Sequence, residues 1–90
     1  MKITEKMEIV NKLGLHLRAA AELVKTANKF KCHLTVTRGI QHANGKSLMG
    51  LMTLAAAKGV ELEVTAEGED AKEALAALRA LIAKRFGEKE

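Results

Sequence analysis

A chain of 90 residues with 48% hydrophobic and 29% charged side chains can bury one modest core, which excludes a disordered chain and leaves no material for a second domain. No apolar run approaches the roughly 20 residues that cross a bilayer, and Cys32 is the only cysteine, so an internal disulfide is excluded. The net charge of +4 is uneven: residues 1–45 hold eight Lys/Arg against three Asp/Glu, and residues 46–90 hold seven against eight. A single domain over 1–90, cytoplasmic and unanchored, is expected, with a basic first half whose field favours acidic or phosphate-bearing partners.

Residues 5–10 set Met7 and Ile9 against Lys6 and Glu8, the period-two pattern of a half-buried strand. Asn11 to Leu15 reads as a loop pivoting on Gly14. From about Arg18 to Lys29 the apolar residues Ala20, Leu23, Val24, Ala27 and Phe30 fall at helical spacing, with Glu22, Lys25 and Lys29 outward and Glu22 spaced for a weak pair with Lys25. His33 to Thr37 and Ile40 to Ala43 form a hairpin about Arg38-Gly39. After the turn at Asn44-Gly45, Ser47 is placed to cap a second helix over Leu48 to Ala57, ended by Lys58-Gly59. Val60 to Glu67 alternates most cleanly and predicts a sheet with one wet face. Asp70 and Glu73 then make a capping-box-like start to a long helix lined by Ala71, Ala74, Leu75, Leu78, Leu81 and Ile82. Lys84 and Arg85 fall in its last turn, Gly87 is a stop, and Glu88-Lys89-Glu90 is expected to fray.

The order βαββαβα predicts an α+β fold. Strands with one apolar face need helices on that face, giving an open-faced two-layer sandwich: a four-stranded antiparallel sheet covered on one face by three helices. The long connection through the first helix lets the fourth strand insert between the first and second.

Chemistry is expected where the first loop becomes the first helix. His16 and Arg18 lie two residues apart there, and the first turn of a helix offers unpaired N–H groups and a positive dipole end to an anion. The second helix is too apolar for one core face: Leu51 and Leu54 can face the sheet, which leaves Met49, Met52 and part of Leu48 as an adaptable surface patch. Other chemistries lack their residues. His16, His33 and His42 have no metal-ligand spacing, so neither metal nor cofactor is expected. Ser47, the only serine, sits in no nucleophile elbow, and Gly45-Lys46-Ser47 lacks the upstream glycine of a P-loop. Phe30 and Phe86 hold core-like positions, so despite a pI near 9.4 no ring is left to stack on nucleic acid bases.

Two segments, Asn11-Lys12-Leu13-Gly14-Leu15-His16-Leu17-Arg18 and Gly45-Lys46-Ser47-Leu48-Met49-Gly50-Leu51-Met52, resemble the signature segments of the HPr family, the histidine phosphocarriers of the bacterial phosphoenolpyruvate-dependent phosphotransferase system. The first also looks like the nitrogen-related paralogue NPr. The resemblance implies that His16 accepts a phosphoryl group on Nδ1 from phosphorylated Enzyme I and passes it to Enzyme IIA-type domains. It implies that Arg18 supports that group, that Leu17, Ala21, Lys25, Lys29, Leu48, Met49 and Met52 meet the partners, and that the chain acts as a monomer. Ser47 matches the regulatory serine that a dedicated kinase and phosphorylase act on in some bacteria, which implies a second reading as a regulatory paralogue. A third reading, an acylphosphatase-like hydrolase of similar size and charge, lacks its Arg-containing phosphate loop. The family pattern is His-x-Arg-Pro, and this chain carries Ala19 at the last position; a looser helix start with retained but slower transfer is expected.

Overall fold

A computed structural model describes residues 1–90. The elements follow the expected order: β1 (Lys2–Glu8), α1 (Leu17–Ala27), β2 (His33–Arg38), β3 (Gln41–Asn44), α2 (Leu48–Met52), β4 (Glu61–Glu67) and α3 (Ala71–Ala83), then a tight turn at Arg85–Gly87. The strands form one antiparallel sheet in the order β1-β4-β2-β3, so β4 does insert between β1 and β2. Alternation decides which face is covered. Met7, Leu34, Val36, Leu62, Val64 and Ala66 are buried, and they share one core with Ala20, Leu23 and Ala27 of α1 and Ala74, Leu75, Leu78 and Ile82 of α3. On the other face Thr65 pairs in register with Thr4 and Thr35, and the Thr4 and Thr65 hydroxyls lie 2.8 Å apart.

β1 begins earlier than its apolar pattern indicates. Its half-buried Glu5 interrupts the alternation and is answered by Arg79 of α3, whose Nε and Nη2 donate to Oε1 at 3.0 and 2.7 Å. α1 stops at Ala27, which leaves Lys29 beyond the helix, and Glu22 forms no ion pair with Lys25.

The largest departure is α2, which ends at Met52 although Ala55-Ala56-Ala57 are strong helix formers. Tertiary bonds override the propensity. Arg38 Nη1 donates to the carbonyls of Leu54 and Ala55 at 2.9 and 2.8 Å, Ala55 turns the chain with φ of 48°, and Ala56 is left outside the helix with its carbonyl accepting from another segment. Asp70 also departs from expectation. It makes no cap bond to α3; its carboxylate accepts instead from the backbone N–H groups of Lys31 and Cys32, at 2.8 and 3.0 Å, and pins the α1–β2 loop. Those bonds, Lys31 first, hold the Asp70 carboxyl below its ordinary value.

Candidate functional site

The loop before α1 is seated on the segment after α2. Gly14, at φ of 68°, lies so close to that segment that a Cβ would sit 2.6 Å from the Ala56 carbonyl oxygen, and the next N–H, of Leu15, donates to that oxygen at 2.8 Å. Only glycine combines the left-handed backbone with this approach. The truncation of α2 and the placing of His16 thus have one cause, since Ala56 can receive the loop only by leaving the helix.

His16 is the N-cap of α1, in extended conformation (φ −77°, ψ 177°), and no side chain closes the open N–H groups of the first turn. Its side chain is partly exposed and Arg18 more so. They flank an open depression of about 410 Å³, lined also by Lys12, Leu13, Glu88, Lys89 and Glu90.

The C-terminal residues that the sequence leaves to fray are docked here. Arg85, Phe86 and Gly87 all have positive φ (61°, 54° and 83°) and reverse the chain. For the two non-glycine residues that backbone costs roughly 1–2 kcal/mol each. Burial of Phe86, only 3% exposed, contributes roughly 1.5–3 kcal/mol in return, so the polar bonds beyond Gly87 decide whether the segment docks. Lys12 N–H donates to the Glu90 carbonyl at 2.6 Å, and Lys12 Nζ lies 3.4 Å from the Glu90 carboxylate.

Glu88 is the centre of this contact. Its Oε1 accepts from Asn11 Nδ2 at 2.9 Å, and its Oε2 meets both His16 Nε2 and Arg18 Nη2, the latter at 2.5 Å. Burial pushes the carboxyl up, but the hydrogen bonds from Asn11 and His16 and the charges of Arg18 and a protonated His16 outweigh it and hold it below its ordinary value. Asn11 is fully buried and gives its amide also to the Gly14 carbonyl at 2.8 Å, so one side chain ties Glu88 to the pivot of the loop. Neither residue stands out in the sequence as part of a site. Asn11 looks like an ordinary loop residue; the one signal for Glu88 is an apolar Phe86 followed by Gly87, an anchor and a reversal.

The remaining predicted residues lie on the neighbouring helices. Leu17, Ala21 and Lys25 are exposed and four residues apart on α1, which packs against α2. On α2, Met49 is 81% and Met52 38% exposed while Leu51 is buried and Leu48 half-buried, the division expected for an unshared apolar patch. Ser47 caps α2: its hydroxyl accepts from the Gly50 N–H at 3.0 Å. Lys29, past the end of α1, is exposed too. No cluster of three metal-ligating side chains is formed, and no helix is long and apolar enough to cross a membrane.

Comparison with known proteins gives the family. Residues 3–84 match the family model described as the PTS HPr component phosphorylation site. The phosphocarrier protein HPr of Neisseria meningitidis is 49% identical over 88 residues, covering 98% of this chain and 99% of that protein. HPr of Pseudomonas aeruginosa is 48% identical, covering 94% and 96%. Among solved structures, HPr-C-His from Thermoanaerobacter tengcongensis superposes with a TM-score of 0.94 at 42% identity, covering 98% of this chain and 99% of that one. HPr from Bacillus anthracis gives 0.86 at 37% identity, covering 90% and 96%. With its sheet order, its partly exposed histidine at a helix start and its relatives in agreement over nearly the whole length, the chain belongs to the HPr family of phosphocarrier proteins of the phosphotransferase system.

Proposed function

We propose that His16 is the phosphoryl acceptor of this phosphocarrier, taking the group from phosphorylated Enzyme I and delivering it to an Enzyme IIA-type domain in the cytoplasm. The observation that carries the reading is the placement of the imidazole. Nε2 faces a carboxylate, no protein group bonds Nδ1, and the ring stands at an uncapped helix start beside Arg18. A neutral ring with a free nitrogen is a nucleophile near pH 7, and Arg18 can bind phosphate oxygens through two donors at once. The helix end adds only about 0.3–1 kcal/mol, which tunes the site without trapping the group, as suits a carrier. Partners would dock over Leu17, Ala21, Leu48, Met49 and Met52, with Lys25 and Lys29 at the rim, and the chain would act as a monomer. Incubation with active Enzyme I and phosphoenolpyruvate should give an acid-labile phosphate on His16, read by mass spectrometry, that vanishes in His16→Ala; its absence from the wild-type chain would overturn the reading.

A second role is supported by Ser47, which is half-buried and two residues before the exposed Met49. A phosphate there, placed by a serine kinase, would add roughly −1.5 to −2 charges beside the apolar patch and oppose docking by an acidic partner.

A further inference from the structure

We infer that Arg38, at the far end of β2, is a positioning residue for His16: its guanidinium holds the chain out of α2, and the carbonyl so presented seats the loop that carries the histidine. The inference rests on the proposed role of His16 and deepens it.

Arg38 stands where the strand pattern calls for an apolar side chain. Leu34 and Val36 alternate into the core, and the next residue of that row is Arg38. It is half-buried and forms no ion pair. Its charge is directed at two carbonyls instead, those of Leu54 and Ala55, both bonded by Nη1. A helix continuing past Met52 would give these carbonyls to N–H groups four residues on. In the folded chain the N–H of Gly59 is turned away, donating to the Ile9 carbonyl at 2.7 Å. Leu54 and Ala56 are both buried although two residues apart, a spacing that a helix would turn to opposite sides.

A cation on the last carbonyls of a helix is a favourable stop. Here it also holds Ala55 at φ of 48°, a backbone that alanine seldom adopts. Without the guanidinium, the run Ala55-Ala56-Ala57 would favour further helix. The effect reaches the site in two steps. The Ala56 carbonyl, freed from the helix, accepts from the Leu15 N–H at 2.8 Å beside Gly14. Leu15 is buried and directly precedes His16, the N-cap of α1. Arg38 itself bonds neither the loop nor the histidine, so it acts through residues 54–56. It takes no part in moving the phosphoryl group; it sets where the imidazole stands, and a misplacement of about 1 Å can slow a reaction about 100-fold.

The test compares Arg38→Ala, Arg38→Lys and the double variant Arg38→Ala with Ala55→Gly, all in the full chain. Three quantities are read: phosphoryl acceptance by His16 at saturating phosphorylated Enzyme I, hydrogen exchange of the Leu15 amide, and the NMR backbone shifts of residues 53–57. Arg38→Ala should slow acceptance about tenfold, speed Leu15 exchange about tenfold as its hydrogen bond is lost, and move residues 53–57 toward helical shifts. Arg38→Lys keeps a cation on a shorter stem. It should show both changes in reduced form, and it carries the test should the alanine variant fail to fold. Ala55→Gly favours the left-handed turn and disfavours helix, so in the double variant acceptance and Leu15 protection should recover together. An arginine that merely stabilised the fold would leave the folded protein accepting phosphate at the wild-type rate. That result, slow acceptance with the Leu15 amide still protected, or a double variant no faster than Arg38→Ala would overturn the inference. Were wild type to take no phosphate on His16, the proposed function would fall, while exchange and shifts would still decide whether Arg38 holds the loop.

Discussion

α1 and α2 both begin with a polar residue in extended conformation at the N-cap, and they use that position in opposite ways. Ser47 turns its hydroxyl back to the Gly50 N–H and closes its own helix; His16 makes no cap bond and leaves the first turn of α1 open, its ring directed at Glu88. α3 provides a third case, for Asp70 faces away from its helix to hold Lys31 and Cys32. A cap that satisfies its own helix stabilises the fold. A cap residue that leaves the helix end open frees both its side chain and the end for an anion. Stability and transfer should therefore respond separately to changes at the two helix starts.

The largest effect is expected at the seat of the α1 start. Gly14→Ala would force a left-handed backbone on a residue with a Cβ and drive that Cβ into the Ala56 carbonyl. The strain and the clash together should cost roughly 3 kcal/mol. Denaturant unfolding measures that loss, and phosphorylation of His16 should fall with it because Leu15 can no longer reach Ala56. A variant with wild-type stability would mean that the loop is not held by this contact.

Ser47→Ala should act on the other side of the comparison. It removes the acceptor of the Gly50 N–H and should cost about 1 kcal/mol, a fall in Tm of roughly 4–8 °C for a domain of this size. Acceptance of phosphate by His16 should be unchanged. A loss of acceptance in protein of near-normal stability would show that the two helix starts are coupled, contrary to the separation their bonding implies.

Local patterns made most of the fold legible. β4 alternates cleanly because one face of the sheet meets the helices and the other is wet, and the sheet order follows from the connection lengths. His16 and Arg18 stand out as a candidate pair because they share one short segment. Features that depend on residues far apart in sequence were not. α2 ends early because Arg38 reaches the Leu54 and Ala55 carbonyls, which no count of helix formers in residues 53–57 can reveal. Glu88 looks like part of a solvated charged tail until Phe86 is buried and the left-handed turn returns the chain to the loop. The two halves of the site, near residues 11–18 and 85–90, meet only in the folded chain.

The smallest effect is expected at Ala19, where the family pattern has proline. The first hydrogen bond of α1 runs from the Ala20 N–H to the His16 carbonyl, so the N–H of Ala19 has no carbonyl inside the helix to lose. Proline there would fix φ and remove one donor from the open helix end. Ala19 is fully buried, so the ring must be accommodated by the core, and stability should change by no more than about 1 kcal/mol. If the preset φ steadies the His16 cap, Ala19→Pro should speed acceptance up to about fivefold, the equivalent of a helix-end effect of roughly 1 kcal/mol. A slowing of 100-fold or more at unchanged stability would instead make the Ala19 N–H a direct donor to the phosphoryl group, and would assign to the open start of α1 a far larger share of the transfer than its dipole alone supplies.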